Sequence, residues 1–508
     1  MIVMKNLNIK IGCLFLFLII GFPCQGQEEN KFPQGKDLLL PELMEQKSEL
    51  TVFTKLLQET GWDKALMQSK DEHYKPIQTP PSTSPLGSSE LSFIPQERPF
   101  AFTVFAESDP VFSSLGISDA ATLTAYLQDH LADNMTYSNL LYDDQYTNEN
   151  HVANRFVSYH LLPQKLGPNQ LVYHYNELNF DLQDYIKTGI AKPTVPVYDY
   201  YATMGTPQRL LKIYESKESE GVRINRFVSF DQQEYQEKEV ISEGLSLSQE
   251  RMYAASNGNV YLLDDLLLYD DQTVYKGFAQ ERVRVDIASI SPELMNLGYR
   301  RLLSTSPARA FYLEPNYQDK IKVFAGDLYY LPGYNSGWSD YQGDELLLVS
   351  TNGALDILIE LPPVSLDGIY QLRLGLSGNP SRSIVQYYWG DEDIMQPVGL
   401  PIDERTSYNE GYEAYGRNDS SFVDLDLILS QGGHMRVPNV FKSAFTSNIR
   451  DYSPLGRRIV GSFDMKADKK YYFRIKSVGT SNGQLFLDYL ELVPATVFQN
   501  PEKAEDIW

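Results

Sequence analysis

The chain has 508 residues, 42% of them hydrophobic and 22% charged, with 35 tyrosines and 24 phenylalanines. That excludes a chain disordered throughout and exceeds what one compact core usually spans, so two domains are expected. A formal charge of −23 repels phosphate backbones, which excludes nucleic acid as the expected partner and favours neutral polysaccharide or protein. Acidity that merely keeps a secreted chain in solution explains the charge as well. Residues 1–26 read as a signal peptide. Lys5 and Lys10 form a basic stretch, and 11–22 is almost wholly apolar, about the length of a signal core and short for a spanning helix. Lipid attachment at Cys24 and cleavage after Gly26 both stay open, Pro23 being a poor neighbour for the first. Cys13 falls in the leader, so at most Cys24 survives. That excludes an internal disulfide, a thiol nucleophile and a cysteine zinc site. The mature protein is expected at the outer membrane or cell surface if lipidated, periplasmic or secreted if not, touching a membrane only through that anchor.

Residues 27–40 read as a polar tether. A helical pattern over 43–67 puts Phe53, Leu56 and Leu57 on one face, with Gly61 as a stop before a short helix at 62–66. Residues 75–99, rich in Pro and Ser, read as a loop without helix. The run 100–106 reads as a strand, followed by Asp109 as a helix N-cap and Pro110 at the first helical position. These signals delimit a first domain over 41–275. A bridging segment, 276–315, carries a short helix at 292–297. Over 316–496 the texture changes to strand-like runs at 346–349, 355–359, 370–374, 384–388, 422–429, 458–463, 471–478 and 485–492, mostly separated by Gly, Asn, Asp or Ser. Strands without intervening helices predict an antiparallel sandwich or jelly roll, ahead of a tail at 497–508.

The stretch Thr103-Val104-Phe105-Ala106-Glu107-Ser108-Asp109-Pro110-Val111-Phe112 resembles the first signature of fasciclin domains, with Glu107 where the family usually has proline. Tyr159-His160-Leu161-Leu162-Pro163 is similar to the family's Tyr-His signature. Residues 255–267, with Asn257-Gly258 near their start, are similar to its closing strand pair. The resemblance covers about 40–270, with surplus in 75–99 and 164–250. It implies an α+β fasciclin-like domain acting in adhesion or matrix contact, without catalytic residues. Physically, Val104, Phe105 and Phe112 read as core. Asn257-Gly258 reads as a hairpin turn whose two central positions need positive φ. His160 has two readings: a ligand or partner contact, or a buried histidine bonded to backbone that holds the sheet to a neighbouring loop.

The segments 368–374 and 470–494 are similar to galactose-binding-like jelly rolls and carbohydrate-binding modules. A fasciclin unit fused to such an all-β antiparallel sandwich looks like the envelope proteins that accompany glycan uptake in Bacteroides-type bacteria. Acidic Glu28 and Glu29 after Cys24 resemble the start of surface lipoproteins of that group. Sugar rings stack their C–H faces on flat aromatics while their hydroxyls bond to polar side chains. Two loop-like stretches suit this chemistry: Tyr334, Trp338 and Tyr341 in one, Tyr388, Trp389 and Asp391 in the other. The competing reading makes these packed aromatics. The pairs Asp264-Asp265 and Asp270-Asp271 are either calcium ligands or solvated turns. Asp488 stands where related modules hold a structural calcium, the one cofactor the chain implies. Zinc-helix motifs, phosphate loops and dinucleotide fingerprints are missing from the sequence. The expected function is non-catalytic surface adhesion or glycan binding. Two alternatives stay open: a structural partner of an outer-membrane transporter, and a glycoside hydrolase built from two of the 67 acidic residues.

Overall fold

A computed structural model of the chain describes residues 34–35, 37–79, 81, 91–172, 196–230, 237–248, 250–298, 309–332, 341, 344–350, 353–377, 380–391, 393–405, 432–435, 455–479 and 483–500. The stretch read as helical forms α1 (Leu40–Glu45), α2 (Thr51–Thr60) and α3 (Asp63–Leu66). Gly61 ends α2 with a φ of 80°, a left-handed cap that a Cβ would strain. Further on come α4 (Asp109–Ser114), α5 (Ala120–Leu131) and α6 (Val152–Tyr159). Pro110 lies in the first turn of α4 as expected, but the N-cap is Ser108. The Asp109 carboxylate accepts instead from the Thr51 and Val52 amides, at 3.3 and 3.0 Å, and so caps the start of α2.

These helices cover a sheet of β1 (Gln34–Gly35), β11 (Met252–Ala255), β12 (Gly258–Leu263), β3 (Phe102–Glu107) and β4 (Leu161–Leu162), in that spatial order. β3 pairs in parallel with β12, placing Val104 opposite Val260 and Phe105 opposite Tyr261. Strand alternation sends Val104, Ala106, Val260 and Leu262 into the helical core with Phe53, Phe112 and Phe156. It sends Phe105, Tyr261 and Leu263 into a larger core shared with the C-terminal part. Both faces of β3 are thus buried, which is why its sequence is apolar without alternation.

The β11–β12 turn differs from the expected one. Its central residues are Ser256 and Asn257, neither has positive φ, and Gly258 is already paired with Ala255. The glycine is needed for space: a Cβ there would stand 2.4 Å from Leu40 Cδ1 and 2.5 Å from the Phe102 carbonyl oxygen. Asn257 accepts from the Leu40 amide at 2.9 Å and donates to the Leu66 and Gln68 carbonyls, both at 2.7 Å. One buried side chain therefore ties α1 and the end of α3 to the hairpin.

The described part of the surplus in the fasciclin-like stretch contributes further strands. β5 (Val197–Ala202), β6 (Leu210–Glu215), β7 (Arg223–Ile224) and β10 (Leu245–Ser246) make a four-stranded sheet, and β8 (Phe227–Phe230) pairs with β9 (Glu237–Ser242). Lys212 of β6 is 1% exposed. Its ammonium stands 5.0 to 5.8 Å from the rings of Tyr198, Tyr200, Tyr214 and Phe227 and donates to Glu281 at 2.8 Å.

Three five-stranded sheets make up the rest. One orders β13 (Val283–Asp286), β26 (Tyr489–Pro494), β19 (Gly368–Ser377), β23 (Leu455–Met465) and β22 (His434–Met435). Another orders β2 (Leu91–Phe93), β14 (Arg309–Leu313), β16 (Asp327–Pro332), β17 (Asp344–Val349) and β25 (Gln484–Leu487). The last orders β15 (Ile321–Ala325), β18 (Asp356–Glu360), β24 (Tyr472–Ser477), β20 (Ile384–Gly390) and β21 (Met395–Asp403). Every neighbouring pair in them is antiparallel except β2 with β14. Leu372 and Leu374 of the first sheet share the large core with Ile357, Ile359, Phe473 and Ile475 of the last, consistent with an antiparallel sandwich. The Pro/Ser-rich stretch supplies β2, and the bridging segment supplies β13 and α7 (Pro292–Asn296), so both are built into the sheets. The run 422–429, expected as a strand, lies outside the described residues.

Candidate glycan-binding face

His160 lies at the end of α6 and is fully buried. Its Nδ1 faces the Phe156 carbonyl oxygen at 2.7 Å, an obligate acceptor, so Nδ1 carries a proton. Its Nε2 faces Glu107 Oε1 at 2.8 Å, and the same oxygen accepts from the Leu267 amide at 2.9 Å. The residue that departs from the family signature is therefore the histidine's partner, and the pair pins β3 to the loop after β12. With no exposed surface, His160 offers nothing to a ligand.

Of the residues singled out for glycan binding, Tyr334 and Trp338 lie outside the described residues, as does Cys24. Tyr341 is partly buried, its ring 5.4 Å from that of Tyr489, and its amide donates to Asp488 at 2.9 and 3.1 Å. Asp488 thus anchors a backbone amide, and no group of three His, Cys, Asp or Glu side chains gathers to hold a metal among the described residues. Trp389 corrects the expectation of a stacking platform. Its indole stacks on Phe463 at 4.5 Å and on Tyr471 at 5.1 Å, within 14° of parallel, and packs against the large core. Asp391 is exposed and accepts from the Asp393 and Ile394 amides at 3.2 and 2.9 Å, shaping the β20–β21 turn. The other acidic residues do similar work. Asp270 accepts from the Thr273 amide at 2.8 Å, and Asp271 accepts from the Met135 and Thr136 amides at 3.0 and 3.1 Å. Asp264 pairs with Arg251 and Asp265 accepts from the Leu266 amide.

Tyr388 is different. Along β20, Val385 and Tyr387 point into the core, so Tyr388 faces the other way. The same alternation on the neighbouring strands places Lys322, Leu358 and Arg474 on that outer face, and the register aligns Lys322, Leu358, Arg474, Tyr388 and Pro397 across five strands. Phe324, 58% exposed beside a bulge in β15, is capped by the Arg474 guanidinium 5.0 Å from its ring centre. Arg474 forks onto Asp356, Nε to Oδ1 and Nη2 to Oδ2, both at 2.6 Å. These bonds raise the Arg474 pKa above its ordinary value. Lys476 stands 3.8 Å from the same carboxylate. At one end, Glu360 meets Lys470 at 3.3 Å and Lys320 at 3.8 Å. The result is an open face with two aromatic rings beside charged groups held in fixed positions. Lys322, Phe324, Asp356, Arg474 and Lys476 were not singled out from sequence. The period-two alternation of 472–476, polar–apolar–polar, was the available signal.

A second charged array lies inside. Glu491 of β26 is fully buried and Arg284, Arg373 and Arg457 at most 2% exposed. Arg284 is opposite Glu491 on one side and Arg373 on the other. Arg284 Nε donates to Glu491 at 2.9 Å, and Arg457, Arg282 and Arg373 stand at 3.3, 3.5 and 3.6 Å. Burial alone would raise the Glu491 pKa. The four guanidinium groups, Arg457 foremost, overrule it and hold the carboxyl well below the usual range. Gly375, opposite Arg457, lets the array close: a Cβ there would fall 2.1 Å from the Tyr489 ring.

No family model and no curated protein matches this chain. Among solved structures it is similar to a Paenibacillus xanthan lyase, at 11% identity over 59% of this chain and 22% of the lyase, with a TM-score of 0.22. The K1 cleaved adhesin domain of Lys-gingipain from Porphyromonas gingivalis W83 gives 10% identity over 36% of this chain and 93% of that one, with a TM-score of 0.19. An exo-β-1,3-galactanase from Phanerochaete chrysosporium gives 10% over 60% and 69%, with a TM-score of 0.18. This chain thus spans about a fifth of the xanthan lyase. Likenesses at these scores carry no argument about fold or function.

Proposed function

We propose that this is an exported, non-catalytic surface protein in which an adhesion-type, fasciclin-like unit carries a jelly-roll sandwich that captures glycan on the outer face of the β15–β18–β24–β20–β21 sheet. The observation that carries the reading is the row Lys322, Leu358, Arg474 and Tyr388, with Phe324 and Asp356 beside it. Aromatic rings take the apolar side of a sugar, and the Arg474–Asp356 fork sets directional polar groups without further ordering cost. The fasciclin-like part is supported by its three signature stretches meeting as β3, β4 and the β11–β12 pair in one sheet. Export is supported by the basic and apolar leader.

Affinity electrophoresis of the full mature chain in polysaccharide gels tests this. Wild type is retarded by at least one glycan, and Tyr388→Ala abolishes the retardation with an unchanged melting temperature. Release of reducing sugar from the retained glycan would establish a hydrolase instead. No retardation in any gel removes the reading.

A further inference from the structure

The reading above leaves the glycan unnamed, and the distribution of charge narrows it. We infer that the face takes an anionic polysaccharide, one bearing carboxylate or sulfate groups; this rests on the face binding glycan at all. The chain carries −23 overall, but its charge is segregated. On this face Lys322, Lys470, Arg474 and Lys476 stand against Asp356 and Glu360. Asp356 is shared by Arg474 and Lys476, and Glu360 by Lys470 and Lys320, so cations outnumber carboxylates in each contact. Lys322 and Lys476 are exposed. Further acids sit at the rims. Asp391 and Asp393 occupy the turn beyond Gly390, where Asp391 holds amides, and Asp403 holds Arg405 at 2.6 Å.

Screening decides whether the global charge matters here. At physiological salt it acts over about 8 Å. Lys322 and Arg474 stand two strand spacings apart, roughly 10 Å, and Tyr388 one spacing further. A polymer lying along this row meets the local cations, while the acids that set the net charge elsewhere on the chain are largely screened. A row of cation, cation and ring suits a chain of charged sugars, which offers both an anion and an apolar ring face. A free inorganic anion would use only the cations. Net charge alone favours neutral polysaccharide, and the arrangement on this sheet reverses that preference.

The test uses the full mature chain in gels containing polygalacturonate, dextran sulfate, neutral galactan or dextran. The expected result is retention by a polyanion at least about tenfold stronger than by either neutral polymer. Which polyanion is held separates carboxylate from sulfate recognition. Lys322→Gln with Lys476→Gln weakens retention about fivefold, as loss of two exposed charges of ordinary worth does. Salt at 1 M, where screening shortens to about 3 Å, removes it. Neutral galactan held as tightly as polygalacturonate, and released by Tyr388→Ala, overturns the anionic assignment while the glycan reading stands. Polyanion retention unaffected by the lysine changes and by Tyr388→Ala places binding elsewhere and also overturns it. Retention by none of the four sinks both.

Discussion

Around Glu491, four guanidinium groups and one carboxylate lie buried in the interior. Around Asp356, one guanidinium, one ammonium and one carboxylate lie at an open sheet face. Both arrays set basic side chains against a carboxylate on neighbouring strands of an antiparallel sheet. In the interior, desolvation makes every charge dependent on its partner, so the inner array is part of what holds β13, β26, β19 and β23 in register. In the outer array Asp356 is itself only 6% exposed, but Arg474 and Lys476 reach water, so this array depends less on its partners than the inner one and its cations stay available to a ligand.

Glu491→Gln is the harshest way to break this contrast. It removes the anion that four buried arginines share, and a loss of about 3–5 kcal/mol is expected in urea denaturation. A loss below about 1 kcal/mol would show that the inner array is not holding the sheet. Glu107→Ala extends the comparison to the helical part. It leaves His160 Nε2 and the Leu267 amide buried without their hydrogen-bond partner, and a cost of about 2–3 kcal/mol is expected by the same measurement.

His434 sharpens the contrast through pH. Burial foremost, and then the Arg458 charge, push its pKa down to about 3. The folded protein keeps it neutral, while the unfolded chain protonates it near pH 6.5. Its contribution is therefore fully present above about pH 6.5 and is lost as pH falls from there towards about 3, by about 1 kcal/mol per pH unit. His434→Gln should flatten stability against pH in that window, and an unchanged slope refutes the assignment. The smallest stability effect belongs to the open face. Arg474→Ala removes both 2.6 Å bonds from a nearly buried Asp356 and leaves it Lys476 at 3.8 Å, so a cost of about 1–2 kcal/mol is expected, together with reduced retention in the polysaccharide gel. Destabilisation as large as that of Glu491→Gln would make the outer array structural and remove the distinction.

Much of the scaffold was legible because it depends on local patterns. The apolar runs that became β17, β18, β19, β20, β23 and β24 announce themselves one strand at a time, as do the helix stop at Gly61 and the proline in α4. The site was less legible. Trp389 and Tyr388 are adjacent in sequence and indistinguishable by composition, but strand alternation turns one into a stack with Phe463 and Tyr471 and the other outward. Asp109 has the spacing of a cap for its own helix and caps another.

By itself, the sequence determined where α2 stops and which short runs would be strands. These follow from hydrophobicity, period and turn chemistry within a few residues. Only the tertiary structure decided that residues as distant as Arg284, Arg373, Arg457 and Glu491 form one buried array, and that Lys322, Arg474 and Tyr388 share one open row. Strand order and register set those neighbours, and both arise from how distant segments pack, which no local window contains.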